Sequence, residues 1–192
     1  MISHLDHEIG LVLDALDASG KADDTIVVLA GDNGLAVGRH GLMGKQSLYE
    51  HSIRVPLIMA GPGVPQGQMR NALCYVIDIY PTLCNLLGLA TPESVEGVSL
   101  KPVLDDDTAT VRDVLHYAYR GYQRAVTDGK HKLIAYHVNG ERRQQLFNVI
   151  DDPDELNDLI DDAGQAETIE RLSGELKRWQ TDYDDHRKGQ GA

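Results

Sequence analysis

The sequence predicts an α/β fold: part of a mixed sheet flanked by helices, followed by a small carboxyl-terminal antiparallel sheet with a helix. Three observations carry this. Apolar periodicity alternates between helical and strand-like segments from residue 2 to residue 89. The uncharged run Thr25 to Ala30, rich in β-branched residues and closed by Gly31, has the composition of a strand buried on both faces, as in parallel sheets. Beyond residue 113 the period becomes that of short strands separated by turn residues, ending in one amphipathic helix. The expected division is therefore 1–112 and 113–192.

In chain order, Ile2, Leu5, Ile9, Val12, Leu13 and Leu16 recur at helical spacing, predicting a helix over 2–17 that packs on the sheet and stops at Gly20. After the Thr25 strand, Val55 to Ala60 reads as a second buried strand, closed by glycine-proline turns. Ala72 to Ile77 reads as a third. Asp78 is placed to cap a helix from Ile79 to about Leu87, with Pro81 in its first turn and Gly88 as its left-handed stop. A helical turn is expected near Leu100 to Leu104. Strands are expected at 114–119, 122–127, 132–138 and 144–148, the middle pair joined by Asp128-Gly129, a hairpin signal. Ile169, Leu172, Leu176 and Trp179 then mark a helix from about Ala166 to Tyr183, with a fraying polar tail from Asp184.

Composition narrows the function classes. A 42% hydrophobic and 25% charged chain is globular. Its net charge of -12 argues against nucleic acid or an anionic membrane as partner, since both recruit Lys and Arg. Seven of residues 151–162 are acidic, which reads as a solvated face. No apolar run reaches the roughly 18 residues of a membrane span, and the start lacks the basic and apolar regions of a signal peptide; the compartment stays open. Cys74 and Cys84 sit among apolar neighbours and are expected to be buried thiols.

The chemistry concentrates between Thr25 and Arg54. Asp32 and Asn33 follow the first strand at its carboxyl end, where open α/β sheets bind ligands. A carboxylate beside a carboxamide offers two hard oxygens suited to Ca²⁺ or Mg²⁺. The next loop holds Gly38, Gly41 and Gly44, few large apolar residues, and His40 and Lys45; an ammonium there suits a metal-bound phosphate or sulfate ester. Asp-Asn-Gly alone is a common turn, and a loop histidine or lysine is commonly just solvated. The whole string decides between the readings: DNG, then HG, GK, YE and RVPLI, at these spacings, resembles the sulfatase family of the alkaline-phosphatase superfamily. LFNVIDDPDELNDL resembles that family's carboxyl-terminal signature.

The resemblance implies an alkaline-phosphatase-like fold in which Asp32 and Asn33 are two of four protein metal ligands, Lys45 contacts the sulfate group, and His40 plays a supporting catalytic role. Tyr49, Glu50 and Arg54 match the family's segment leading into the next strand, but read by themselves as hydrogen-bond and ion-pair partners that brace the loop. It also implies a formylglycine nucleophile, made from the first residue of Cys-x-Pro-x-Arg or Ser-x-Pro-x-Arg, which attacks sulfur while the cation stabilises charge. Neither motif occurs here. The chain therefore reads as the carboxyl-terminal part of a sulfatase, residues 1–112 completing its catalytic domain, inactive by itself, acting as a whole on a sulfated small molecule or glycan. Apolar strands that lack neighbours suggest self-association through exposed sheet surfaces. The competing readings are a phosphonate or phosphodiester hydrolase of the same superfamily, and a non-catalytic interaction module.

Overall fold

The computed structural model describes residues 1–183 and 185. The fold is mixed α/β. Its elements are α1 (Ile2–Ala18), β1 (Val27–Ala30), α2 (Glu50–Ile53), β2 (Leu57–Ala60), α3 (Ile79–Leu86), α4 (Lys101–Asp105), β3 (Leu115–Tyr119), β4 (Gln123–Thr127), β5 (His131–Val138), β6 (Glu141–Asn148) and α5 (Ala166–Asp182). They fall into two compact units, one of Met1–Ala30, Pro56–Asn71 and Val76–Ala109, the other of Gly31–Val55, Ala72–Tyr75 and Thr110–Ala192. The tail expected to fray lies outside the described residues except for Asp185.

In the first unit β1 and β2 pair antiparallel, Val27 opposite Ala60 and Ala30 opposite Leu57. The expectation of doubly buried strands of parallel type is corrected here: Leu29 is 41% exposed and Ile58 57%. β-branched composition makes a segment extended without stating which way its neighbour runs or what covers it. The helix predicted at the amino terminus forms as α1, yet none of its residues is buried, and Ile2, Leu5 and Val12 stay open. Periodicity located the apolar stripe; it carried no information about a lid.

The remaining elements of this unit are tied by side chains. The Asp78 carboxylate, expected to cap α3, instead accepts the Val98 N–H at 2.8 Å, while its backbone carbonyl accepts the Thr82 hydroxyl at 2.6 Å. Thr82 Oγ1 in turn accepts the Leu100 N–H at 2.8 Å. Asp78 and Thr82 are both fully buried, so these bonds satisfy groups that water cannot reach. Gly88 has the left-handed φ of 68° that ends α3 as anticipated. The Arg70 guanidinium donates to the carbonyls of Val103 (2.7 Å) and Leu104 (3.0 Å), covering the orphan end of α4.

The second unit is a four-stranded antiparallel meander, β3-β4-β5-β6, as the turn signals predicted. Asp128 Oδ1 shapes the β4–β5 hairpin by accepting the N–H groups of Lys130 (2.9 Å) and His131 (2.7 Å). β6 begins at Glu141, three residues before the expected Gln144, because Asn139 and Gly140 both take positive φ and close a two-residue turn with Val138 opposite Glu141. Asn-Gly is the strongest short hairpin signal, and it was there to be read. The third predicted strand, 72–77, is not one. Tyr75 lies beside β3 through its side chain, its hydroxyl accepting the His116 N–H and donating to the His116 carbonyl at 3.0 Å.

Strand alternation sends residues to two cores. Ala125, Ile134 and Phe147 pack with Leu48, Tyr49 and Ile53 on one face. Val126, Leu133 and Leu146 pack against Leu172 and Leu176 of α5 on the other, with Ile169 and Trp179 alongside as their helical spacing predicted. Cys84 is buried and Cys74 half-buried. No helix among the described residues is long and apolar enough to cross a membrane.

Two outcomes follow from the α5 face. Leu172 is fully buried, so Leu172→Ala should lower unfolding free energy by about 2–5 kcal/mol, read by urea titration. His116 stacks on Trp179 with centroids 5.3 Å apart, and burial, partly opposed by Glu175, holds its pKa below 6.5. The unfolded chain thus binds this proton more readily than the folded one, so the stability His116 contributes is full above its unfolded pKa and is lost as pH falls towards the folded value. Between about pH 7 and about pH 5, stability should therefore fall less steeply in His116→Phe than in the wild type.

Candidate functional site

All the site residues read from the sequence lie in the segment Gly31–Val55 of the second unit. Asp32 is exposed and Asn33 half-buried. The following Gly34 donates its N–H to the Ser52 carbonyl at 2.9 Å, and a Cβ there would stand 2.0 Å from the His51 carbonyl oxygen. Residue 34 must therefore be glycine for a packing reason beyond turn formation. This bond joins the Asp-Asn pair to the end of the segment.

Between these points the chain closes on itself. Ala36 N–H donates to the Gly44 carbonyl at 2.9 Å, and Gly38 N–H to the Leu42 carbonyl at 2.7 Å. Val37 and His40 adopt left-handed φ of 47° and 53°, conformations that persist only where surroundings impose them. For His40 the surroundings are explicit: its ring stacks on Tyr49 at 4.0 Å, and its Nε2–H donates to the Asp154 carbonyl at 2.9 Å. Neighbouring Arg39 pairs with the Asp154 carboxylate at 2.7 Å. Lys45 leaves this loop exposed to solvent.

Beneath the loop lies a buried charge cluster. β5 alternates so that Lys132, Ile134 and Tyr136 share a face, which aims a fully buried ammonium at the core containing Phe147. Lys132 Nζ meets Glu155 Oε1 at 2.6 Å and Glu50 Oε1 at 2.9 Å. The second Glu155 oxygen accepts the Glu50 backbone N–H at 2.6 Å. Glu155 is 2% exposed, and burial raises its pKa against the lowering influence of Lys132.

Most of the acidic run 151–162 is exposed, as expected of a solvated face, but Glu155 is buried and other carboxylates of the run are engaged. Besides Glu155, Asp158 Oδ1 accepts the Leu146 N–H at 3.0 Å, and Asp152 Oδ2 the Asn157 N–H at 2.7 Å. These carboxylates satisfy backbone donors that an irregular segment leaves over. Tyr49 and Glu50 brace the loop, as the structural reading of these residues expected, Tyr49 donating to Gln145 Oε1 at 2.9 Å; the side chain of Arg54 is exposed.

Lys132, Glu155 and His51 were missed. A lysine at an inward position of an apolar strand, and a glutamate two residues past Asp-Pro, were the available signals. Nothing in the sequence marked His51, whose Nδ1 lies 3.0 Å from Ser52 Oγ, itself 2.9 Å from Ser47 Oγ. Its pKa is lowered, by burial first and then by the charges of His40 and Arg39.

Asp32 and Asn33 present hard oxygens, and no hydrogen bond or ion pair among the described residues engages their side chains. No group of three or more His, Cys, Asp and Glu among the described residues is placed to hold a metal ion. The pair therefore fits a hard cation as a partial donor set, with most coordination positions left to other ligands.

Comparison with known proteins bears on this arrangement. Residues 38–182 match the family described as N-sulphoglucosamine sulphohydrolase, C-terminal. The chain is 33% identical over 178 residues to an arylsulfatase of Clostridium perfringens, covering 89% of this chain and 37% of that protein. It is 30% identical over 194 residues to an N-acetylglucosamine-6-O-sulfatase of Bacteroides thetaiotaomicron, covering 95% and 35%. Among solved structures, that of BT4656 in complex with its substrate D-glucosamine-2-N,6-O-disulfate superposes with a TM-score of 0.84 at 28% identity, over 100% of this chain and 41% of that one. The chain thus spans little more than a third of the length of these curated relatives.

The charge cluster sets an expected outcome. Glu155→Ala removes the deeper carboxylate and leaves Lys132 buried and half-neutralised, which should destabilise the second unit by about 3–5 kcal/mol in denaturant titration. A change within about 0.5 kcal/mol, the range of ordinary surface substitutions, would refute the coupling.

Proposed function

Because this chain belongs to the sulfatase family, we propose that it contributes a metal-ligand pair, Asp32 and Asn33, and a substrate-binding lysine, Lys45, to the hydrolysis of a sulfate ester. One observation carries the reading. Both groups sit at the ends of a single closed loop, clamped by the Gly34–Ser52 bond and by the Glu50–Glu155–Lys132 cluster, while their own side chains stay free of internal partners. Residues kept rigid in backbone and unspent in side chain are what a preorganised electrostatic site requires.

In this reading Lys45 holds a sulfate oxygen and offsets the charge that gathers there as the ester bond breaks. His40, locked between Tyr49 and Asp154, supports that loop rather than moving a proton, since its Nε2 is occupied by a carbonyl. Asp32 and Asn33 would hold Ca²⁺ or Mg²⁺. When bound, such a cation supplies Lewis-acid stabilisation of the sulfate and of the attacking oxygen. The formylglycine motif is not among these 192 residues, so the chain by itself should bind the ester without cleaving it. A sulfated amino sugar, named for one curated relative and bound in one of the similar solved structures, is the substrate class we propose.

The tests use the chain itself. Calorimetric titration should give weak Ca²⁺ binding that Asp32→Ala abolishes, and weak binding of glucosamine 6-sulfate that Lys45→Ala reduces by about ten- to a hundredfold, the range of a charge-assisted contact. An aryl sulfate assay should detect no turnover. Unchanged Ca²⁺ affinity in Asp32→Ala, or unchanged sugar affinity in Lys45→Ala, would refute the corresponding assignment. Preference for a phosphonate monoester over the sulfate would favour the phosphonate hydrolase reading.

A further inference from the structure

The second unit carries a groove that the proposed site does not use. It has a volume of about 610 Å³ and lies between the α5 residues Ser173, Leu176, Lys177 and Gln180 and the outer ends of β4, β5 and β6. The meander's two faces are distinct: Leu48, Tyr49 and Ile53 of the site segment pack on one, α5 on the other. The groove opens on the α5 face, across the sheet from the loop that bears Lys45.

Its walls are cationic in a chain of net charge -12. Arg142, Arg143 and Lys177 line it and are exposed, and among the described residues none of the three is in an ion pair. The floor is fixed. Arg124 is buried, its guanidinium paired with Asp185 at 2.7 Å and donating to the carbonyls of Arg120 and Gln123, each at 2.7 Å. Tyr122 and Gln144 add an aromatic ring and a carboxamide. Unpaired arginines on an open hairpin would be ordinary solvated side chains; here Arg142 of β6, on the strand face of Gln144 and Leu146, and Lys177 of α5 meet at one cavity of ligand size that Arg143 also lines.

We propose that this groove binds an anionic oligosaccharide, one bearing sulfate or carboxylate groups, as a second site remote from Lys45. Guanidinium groups recognise such oxyanions bidentately, and the ring, amide and hydroxyl groups suit a sugar's faces and hydroxyls. The acidic remainder of the chain, with a net charge of -12, repels a polynucleotide. The proposal rests on the sulfatase reading for its choice of glycan. Its physical role would be to raise the local concentration of a polymeric substrate by tethering a flanking unit while another reaches the loop.

The test is a ¹⁵N-resolved NMR titration of the whole chain with a heparin-derived tetrasaccharide. Amides of Gly121, Arg142 and Lys177 should shift, and Arg142→Ala combined with Lys177→Ala should weaken that binding about tenfold or more. Lys45→Ala should leave the groove shifts unchanged, so loss of the groove and loss of the loop assignment are read separately. Arg143→Glu, an exposed charge reversal, is expected to weaken binding likewise with circular dichroism unaltered. The proposal is overturned if the groove amides do not respond, if both variants bind as the wild type does, if a neutral oligosaccharide or inorganic sulfate alone binds equally well, or if a single-stranded oligonucleotide competes more strongly.

Discussion

The arrangement of the second unit depends on one ammonium group that cannot reach water. Lys132 is fully buried and meets two carboxylates, from α2 and from the segment after β6. An unpaired charge in that position would be prohibitive, so the two acidic residues must arrive together for the sheet to close. Because Glu155 also accepts the Glu50 N–H, the cluster fixes backbone as well as side chains. It is the means by which residues far apart in sequence, 50, 132 and 155, come to hold one another.

What the cluster secures is a loop that could not hold itself. Residues 36–44 contribute few buried groups, Ala36 being the exception, and two of them sit in left-handed conformations that carry a conformational cost. Stacking of His40 on Tyr49 and the bond from His40 to Asp154 impose the His40 conformation from outside. The strained loop, its anchors and the acidic clasp are therefore parts of one device. Its product is a fixed backbone on which the exposed Asp32 and Lys45 and the half-buried Asn33 have no side-chain partner among the described residues.

The meander separates tasks by its alternation. One face is spent on the loop segment and the Lys132 cluster, the other on α5 and the cationic groove. A change on the α5 side therefore has no direct route to the loop except through the strands themselves.

Several features were set by sequence alone, and each is local in origin. The helices at 2–18 and 166–182 follow from period, and the β4–β5 hairpin from Asp128-Gly129. What required the tertiary structure was nonlocal. The direction of β1 against β2, the open stripe of α1, the substitution of the Tyr75 hydroxyl for a third strand, and the Asp78 carboxylate bonded to Val98 rather than to its own helix all depend on which distant group arrives first at an unsatisfied one. Within the acidic run Glu155 was misjudged for the same reason: composition makes carboxylates solvated by default, and only a buried lysine brought from β5 makes Glu155 an interior residue. Sequence determines which groups a chain possesses and the short-range shapes they favour. Which donor meets which acceptor is decided where burial removes water as the alternative partner.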